Sequence, residues 1–247
     1  SHTPPTPLSS MTDSRSGRLL VVTGTATAAL TALAVFGVFF VAPEDADQGI
    51  IHKIFYFHVA IAIASLVAFA VACISGVLYL RTRRERHDEV SSISIGIGLL
   101  FSGLVLVTGT IWAKASWGTW WVWGDPRLVT FLIVILLYAA YFVLRSSAEG
   151  ERQRRYSAIY AIAAFASVPL SFYSVRIAQS FVHPVVFTQS GANMPDSMLV
   201  WFVVSQIAAF GLYLTMLQLE LVQRRTEKRL RTLKTRVERL VAESPGA

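Results

Sequence analysis

Charge is scarce in this chain. Of 247 residues only 15% are Asp, Glu, Lys or Arg, 54% are hydrophobic, and the mean hydropathy is +0.54. A soluble domain carries charge on nearer a quarter of its residues, so these proportions exclude one and point to an integral membrane protein. Cysteine is limited to Cys73. One thiol excludes a Cys-x-x-Cys redox pair and the attachment of a prosthetic group through paired thioethers; in the middle of an apolar run it reads as a small buried hydrophobe. A glycine-rich phosphate loop is missing too, as is any internal repeat, so nucleotide chemistry belongs to some other chain.

What is present is apolar sequence in long runs. Stretches free of Asp, Glu, Lys, Arg and His cover 19–42, 59–80, 90–111, 128–144, 156–175 and 197–219. A span needs about 20 apolar residues, about 17 at the least, so six spans are predicted, the fourth being the shortest. In hydrocarbon every backbone N–H and C=O must be paired internally, which makes the segments helices. The predicted fold class is all-α, a six-transmembrane-helix membrane protein with its membrane domain over 19–219. The first run, 24 residues long, exceeds the core of about 7 to 15 in a secretory signal, and no small-x-small cleavage site follows, so it is expected to stay in the mature protein. Before it, Pro4, Pro5 and Pro7 among Ser and Thr predict a disordered N-terminus over 1–18. After the last span, 220–247 is a basic tail with Leu230, Leu233, Val237, Leu240 and Val241 on one helical stripe. That spacing predicts an amphipathic helix on the inner membrane surface or against a partner.

The basic residues predict orientation, because Lys and Arg in short loops stay cytoplasmic. Eighteen of the 22 lie before span 1, between spans 2 and 3, between spans 4 and 5, and after span 6; the opposite loops hold only Lys53, Lys114, Arg127 and Arg176. Both termini are therefore expected in the cytoplasm, and the loop over 112–127 faces outward. The net charge of +7 reports this topology, and no nucleic-acid partner is expected.

That outer loop holds five of the six tryptophans: Trp112, Trp117, Trp120, Trp121 and Trp123. One or two would make an interfacial belt. Five, alternating with Ala113, Ala115, Ser116 and Gly118, leave room for a flat apolar ligand against the indole faces. Three histidines share the compartment: His52, His58 and His183. His58 lies among aromatics at the outer end of span 2 and His183 in Phe-Val-His-Pro after span 5. Each alone reads as an interfacial histidine bonded to backbone; two beside a tryptophan platform read as axial donors to haem iron, neutral imidazole offering its nitrogen where water is kept away. His52, six residues before His58, would point about 120° away on a continuous helix and is the reserve ligand. Zinc lacks a third donor at metal spacing. Asp125 followed by Pro126 reads as an N-cap and first helical position of span 4. Arg127 could pair with a carboxylate, such as a porphyrin propionate, or snorkel at the interface; Lys114, Arg176 and Lys53 are its competitors.

The segment Trp117-Gly118-Thr119-Trp120-Trp121-Val122-Trp123, followed by Asp125, Arg127, Leu128 and Thr130, resembles the tryptophan-rich WWD signature of the haem-handling proteins of cytochrome c biogenesis. Size, six spans and one outer histidine on each side of the motif match the CcmC branch of that family, and the likeness covers spans 2 to 6. Three details depart from the family pattern: Gly124 before Asp125, Val129 between Leu128 and Thr130, and Ala60 where the family commonly has proline. The resemblance implies a cofactor site made of His58 and His183 as axial iron ligands, with Trp117, Trp120, Trp121, Trp123, Asp125 and Arg127 around the porphyrin. It further implies haem b held non-covalently and passed on to a periplasmic haem chaperone. The implied partners are ABC-type transporter subunits and a small membrane subunit of one export complex, besides membrane lipid, in the bacterial inner membrane.

On this reading the chain is not an enzyme, since no nucleophile or acid–base pair accompanies the site. One alternative within the family is a cytochrome c synthase component, but such proteins are larger and use further histidines inside the spans, where this chain has none. The other alternative is an ion or proton transporter, which would place ionisable groups inside the bilayer; the cores of these six runs contain none.

Overall fold

The computed structural model describes residues 7–177, 187–188, 191–192 and 194–243. It builds α1 (Pro7–Phe40), α2 (Ile54–Thr82), α3 (Glu85–Trp117), α4 (Pro126–Ser146), α5 (Gly150–Phe165), α6 (Ser167–Ile177) and α7 (Asp196–Glu243), with a 3₁₀ turn, Ile50–Lys53, leading into α2. Two strands of two residues each, β1 (Phe187–Thr188) and β2 (Gly191–Ala192), pair antiparallel between α6 and α7. Six segments are long and apolar enough to cross a membrane, α5 and α6 together forming the fifth. The protein is thus an all-α, multi-pass membrane protein.

Two boundaries depart from the sequence expectation. The stretch expected to be disordered is helical from Pro7 onward. Pro7 stands at the first helical position, where its missing N–H costs nothing, and Pro4 and Pro5 lie before it. The fifth span is broken at Ala166. Pro169 has no N–H to give the carbonyl of Phe165, four residues earlier, and its ring crowds that carbonyl, so α5 stops at Phe165 and α6 starts afresh. By contrast α2 runs unbroken through Ala60, the position where the family commonly has proline.

Helix α2 is central, packing on α3, α5 and α7, while α1 lies along α7 and α4 covers α5 and α6. The reason is a row of small residues. Ala60, Ala64, Ala68, Ala72 and Gly76 recur every fourth position on α2 and all are buried. Lipid tails are as apolar as leucine, so helices in a bilayer associate by close packing, and small residues permit it. Gly98 of α3 makes room for Phe69, whose ring stacks on Tyr138 of α4 with centroids 3.8 Å apart. Gly37 does the same for α1: a Cβ there would come within 1.8 Å of the Trp201 ring of α7. Hydroxyl contacts continue that seam, Thr27 with Thr215 at 3.1 Å and Thr23 donating to Gln218 at 2.7 Å.

The two ends of the bundle differ. At the end where α3 begins, Arg145 of α4 donates two hydrogen bonds to Asp88, of 2.8 and 2.7 Å. Arg154 of α5 pairs with Glu85 at 2.8 Å, and Lys228 of α7 with Glu89. Carboxylates in the first turn of α3 also suit its helix dipole. At the opposite end, α3 runs into the tryptophan loop.

Candidate functional site

Helix α3 ends at Trp117 because Gly118 takes a left-handed conformation, φ 73°, and donates its N–H to the Lys114 carbonyl at 3.1 Å. One turn and more before that stop, Trp112 meets both nearby histidines. The His58 ring lies edge-on to Trp112, centroids 5.7 Å apart, and the His52 ring likewise at 6.2 Å. Six residues on a continuous helix would have pointed these rings apart. The 3₁₀ turn over Ile50–Lys53 winds more tightly than α2 and brings both to one indole.

His58 is held on two sides. Its Nδ1 is 2.9 Å from Thr108 Oγ1 of α3. The Thr108 hydroxyl donates back to the Leu104 carbonyl at 2.8 Å, so it accepts from Nδ1–H and leaves Nε2 as the basic ring nitrogen. Gly109 supplies the other side: a Cβ there would stand 2.8 Å from His58 Cε1, so the ring lies flush against bare helix backbone. His52 stacks on Phe55, centroids 5.1 Å apart, with Nδ1 4.0 Å from the Asp45 carboxylate.

Trp112 Nε1 donates to Gln48 Oε1 at 2.8 Å, and Asp45 Oδ1 accepts from the N–H groups of Asp47 and Gln48, at 3.0 and 2.9 Å. The Gln48 N–H, foremost, holds the Asp45 carboxyl below its ordinary pKa; burial opposes the shift, while the Asp47 N–H and nearby His52 add to it.

Two of the three tryptophans after the stop, Trp120 and Trp123, face outward from the protein. Trp120 is 58% and Trp123 74% exposed, whereas Trp117 and Trp121 are half-buried. Trp121 and Trp123 meet edge to face at 5.8 Å. The Trp121 Nε1 is buried with no hydrogen-bond partner among the described residues. Lys114 donates to the Gly118 carbonyl at 2.8 Å, with its ammonium 6.0 Å from the centre of the Trp120 ring.

Asp125 is the N-cap of α4. Its Oδ1 accepts from the N–H groups of Arg127, at 3.0 Å, and Leu128, at 2.9 Å, with Pro126 at the first position, as the sequence predicted despite Gly124. The residue is 2% exposed. Arg127 crosses to α6, donating from Nη2 to the Phe172 carbonyl at 3.2 Å. Of its competitors, Lys53 is buried and donates to the Phe39 carbonyl at 2.9 Å. His183 lies outside the described residues.

Sequence reasoning missed Thr108, Gly109 and Gln48. None has a side chain of distinctive chemistry; only the contact of α2 with α3 makes them part of a histidine site. One periodic hint existed, since Thr108, Trp112 and Ser116 recur at helical spacing on α3.

Residues 7–238 match the family model described as "Heme exporter protein C". The chain is 31% identical over 228 residues to the Heme exporter protein C of Paracoccus denitrificans, covering 88% of this chain and 90% of that one. It is 30% identical over 177 residues to the protein of the same name in Bradyrhizobium diazoefficiens, covering 71% of this chain and 67% of that one. A cytochrome c biosynthesis ccmC-like mitochondrial protein of Marchantia polymorpha is 34% identical over 171 residues, or 69% of this chain and 72% of the other. A match over nearly the whole chain, including the histidine and tryptophan segments, places it plainly: it belongs to the heme exporter protein C (CcmC) family.

Proposed function

We propose that this protein binds haem as cargo at the tryptophan-rich end of its helix bundle and delivers it for cytochrome c assembly. Family membership supports the coarser part, a role in haem export and cytochrome c maturation. The finer reading rests on one observation. His58 is locked through Nδ1 to Thr108 and set against Trp112, on the helix that leads directly into a loop of exposed indoles.

The residues fit the cargo. An imidazole whose Nδ1–H is donated presents Nε2 as a metal donor. The 58% and 74% exposure of Trp120 and Trp123 offers aromatic faces to a planar ring, with stacking worth about 0.5 to 1.5 kcal/mol per contact. The Trp121 N–H, buried without a partner among the described residues, is an unused donor beside that platform. His183 is the second axial ligand in this reading. Asp125 contributes by starting α4 and so positioning Arg127 and the end of the loop. The haem is haem b, bound without thioethers and passed on to a periplasmic chaperone. The chain acts as a non-enzymatic member of a complex with ABC-type transporter subunits and a small membrane subunit, in the bacterial inner membrane. Both termini lie in the cytoplasm and the tryptophan loop in the periplasm.

The visible spectrum of the purified protein tests the site. Six-coordinate, low-spin haem is expected, altered by His58→Ala and by His183→Ala and untouched by His87→Ala, with added imidazole partly restoring either variant. A response to His52→Ala in place of His58→Ala would move the ligand to His52. A reporter active only outside the cytoplasm tests the orientation: it should work when inserted near Ser116 and fail when fused after Ala247, and the reverse pattern would overturn the outer site.

A further inference from the structure

Helix α7 does not end with the membrane. From Asp196 to Glu243 it is one unbroken helix of 48 residues, about 72 Å long where hydrocarbon needs about 30 Å. At the end of the bundle where α3 begins, Arg224 donates to Ser92 at 2.9 Å, and Lys228 pairs with Glu89 and, at 3.5 Å, with Glu85. From 229 to 242 every residue is exposed. The remaining turns extend about 20 Å.

Among the described residues this extension carries an uncovered seam. Leu230, Leu233, Val237 and Leu240 follow a three-four-three spacing, the a and d positions of two heptads. They are 61, 57, 57 and 57% exposed, with α1 already lying along α7. Four aliphatic side chains in register on an exposed helix are a surface for another helix. The flanks say which kind. Arg229 and Arg236 fall at g positions and Lys234 at an e position, and over 229–243 five basic residues face two acidic, Glu238 and, at the last turn of the helix, Glu243.

A second copy of this chain does not suit that seam. Parallel pairing would set Arg229 against the partner copy's Lys234, and antiparallel pairing would set like residues against each other; like charges at these positions repel. Nor does the bilayer suit it, because a helix that leaves the membrane without a break cannot lay its stripe on the surface it has just left. We infer that the α7 extension is a docking helix for an acidic amphipathic helix of another protein, one with an aliphatic stripe flanked by Glu or Asp. This inference is independent of the haem site.

The test uses the full chain in nanodiscs of neutral lipid and a labelled synthetic peptide of about three heptads, with Leu at a and d and Glu at e and g. Saturable binding by fluorescence anisotropy is expected, weaker at high salt. The pair Leu233→Gln and Leu240→Gln should weaken it at least about tenfold, since a polar residue in the seam costs pairing strength. These side chains are exposed, so an unchanged thermal unfolding midpoint verifies the fold. Arg229→Glu with Lys234→Glu should transfer the preference to a lysine-flanked peptide. No saturable binding, or equal binding of both peptides by the unaltered chain, would overturn the inference. So would an environment-sensitive dye at Leu233→Cys, in a Cys73→Ser background, that turns blue in nanodiscs of phosphatidylglycerol, since the stripe would then belong to the membrane. Efficient disulfide formation between two such Leu233→Cys chains would assign it to self-pairing.

Discussion

The Nδ1 of His58 and the hydroxyl of Thr108 form a 2.9 Å hydrogen bond between α2 and α3. A proton held on Nδ1 leaves the opposite nitrogen as the basic one and fixes the plane of the ring; in the proposed site that nitrogen is the iron donor. Thr108→Val removes the hydroxyl at nearly constant volume. Haem affinity should fall about 10- to 100-fold, the usual effect of losing the partner that orients a ligating histidine, and Thr108→Ser should retain most of it. Haem titration of the purified variants measures this; equal affinity for Thr108→Val and the unaltered protein would show that the hydroxyl does not orient the ligand.

Gly109 gives an independent check on the same ring. Adding one methyl there puts a carbon 2.8 Å from His58 Cε1, whereas Gly103, on the same helix, has open space. Gly109→Ala should therefore shift the haem absorption bands and weaken retention, with Gly103→Ala indistinguishable from the parent. Matching spectra for the two variants would mean that His58 has room the packing denies it.

Much of this architecture was legible in the sequence because a bilayer leaves few options. Six charge-free runs had to be helices, and Asp125-Pro126 marked the start of α4 through local chemistry alone. The exposed indoles were visible as a cluster. What stayed hidden depended on contacts between helices. The row from Ala60 to Gly76 makes α2 central, yet alanines in an apolar run look like filler. Pro169 was visible, but an apolar run was read through it, and the break it causes divides span 5. The approach of His52 and His58 to one indole was hidden, because a 3₁₀ turn cannot be told from an α-helical one by composition. Basic residues that signal topology also brace the bundle, since the acidic partners of Arg154, Arg145 and Lys228, which are Glu85, Asp88 and Glu89, lie on another helix.

That bracing has a measurable consequence at Asp88, which is 5% exposed and held by two hydrogen bonds from Arg145. Arg145→Ala should destabilise the protein by about 3–5 kcal/mol, because it leaves a buried carboxylate without its cation. Replacing both partners, Asp88→Leu with Arg145→Met, should recover most of that loss, since no buried charge remains. Unfolding midpoints in mild detergent distinguish the cases. Equal loss in the single and double variants would show that packing, not charge pairing, matters there.

The Asp45 turn should respond to acid. Its carboxylate is held below the ordinary aspartate value of 3.8 chiefly by the Gln48 N–H, with the Asp47 N–H and His52 adding to the shift and burial opposing it. A depressed folded value means the turn is stabilised above the unfolded pKa and loses that stabilisation as pH falls through the folded one. At neutral pH the turn is therefore fully formed, and it should loosen only below the ordinary carboxylate range. Gln48 is the partner of Trp112 Nε1, so loosening the turn frees the indole that both histidines touch. Hydrogen exchange at the Asp47 and Gln48 amides reads the first step directly. Asp45→Ala should raise exchange at neutral pH to the level the parent reaches in acid, while Asp45→Asn, which still accepts from both amides, should keep protection and lose its pH dependence. Unchanged protection in Asp45→Ala would mean that the backbone holds this turn without the carboxylate, and the link from Asp45 through Gln48 to Trp112 would fail at its first step.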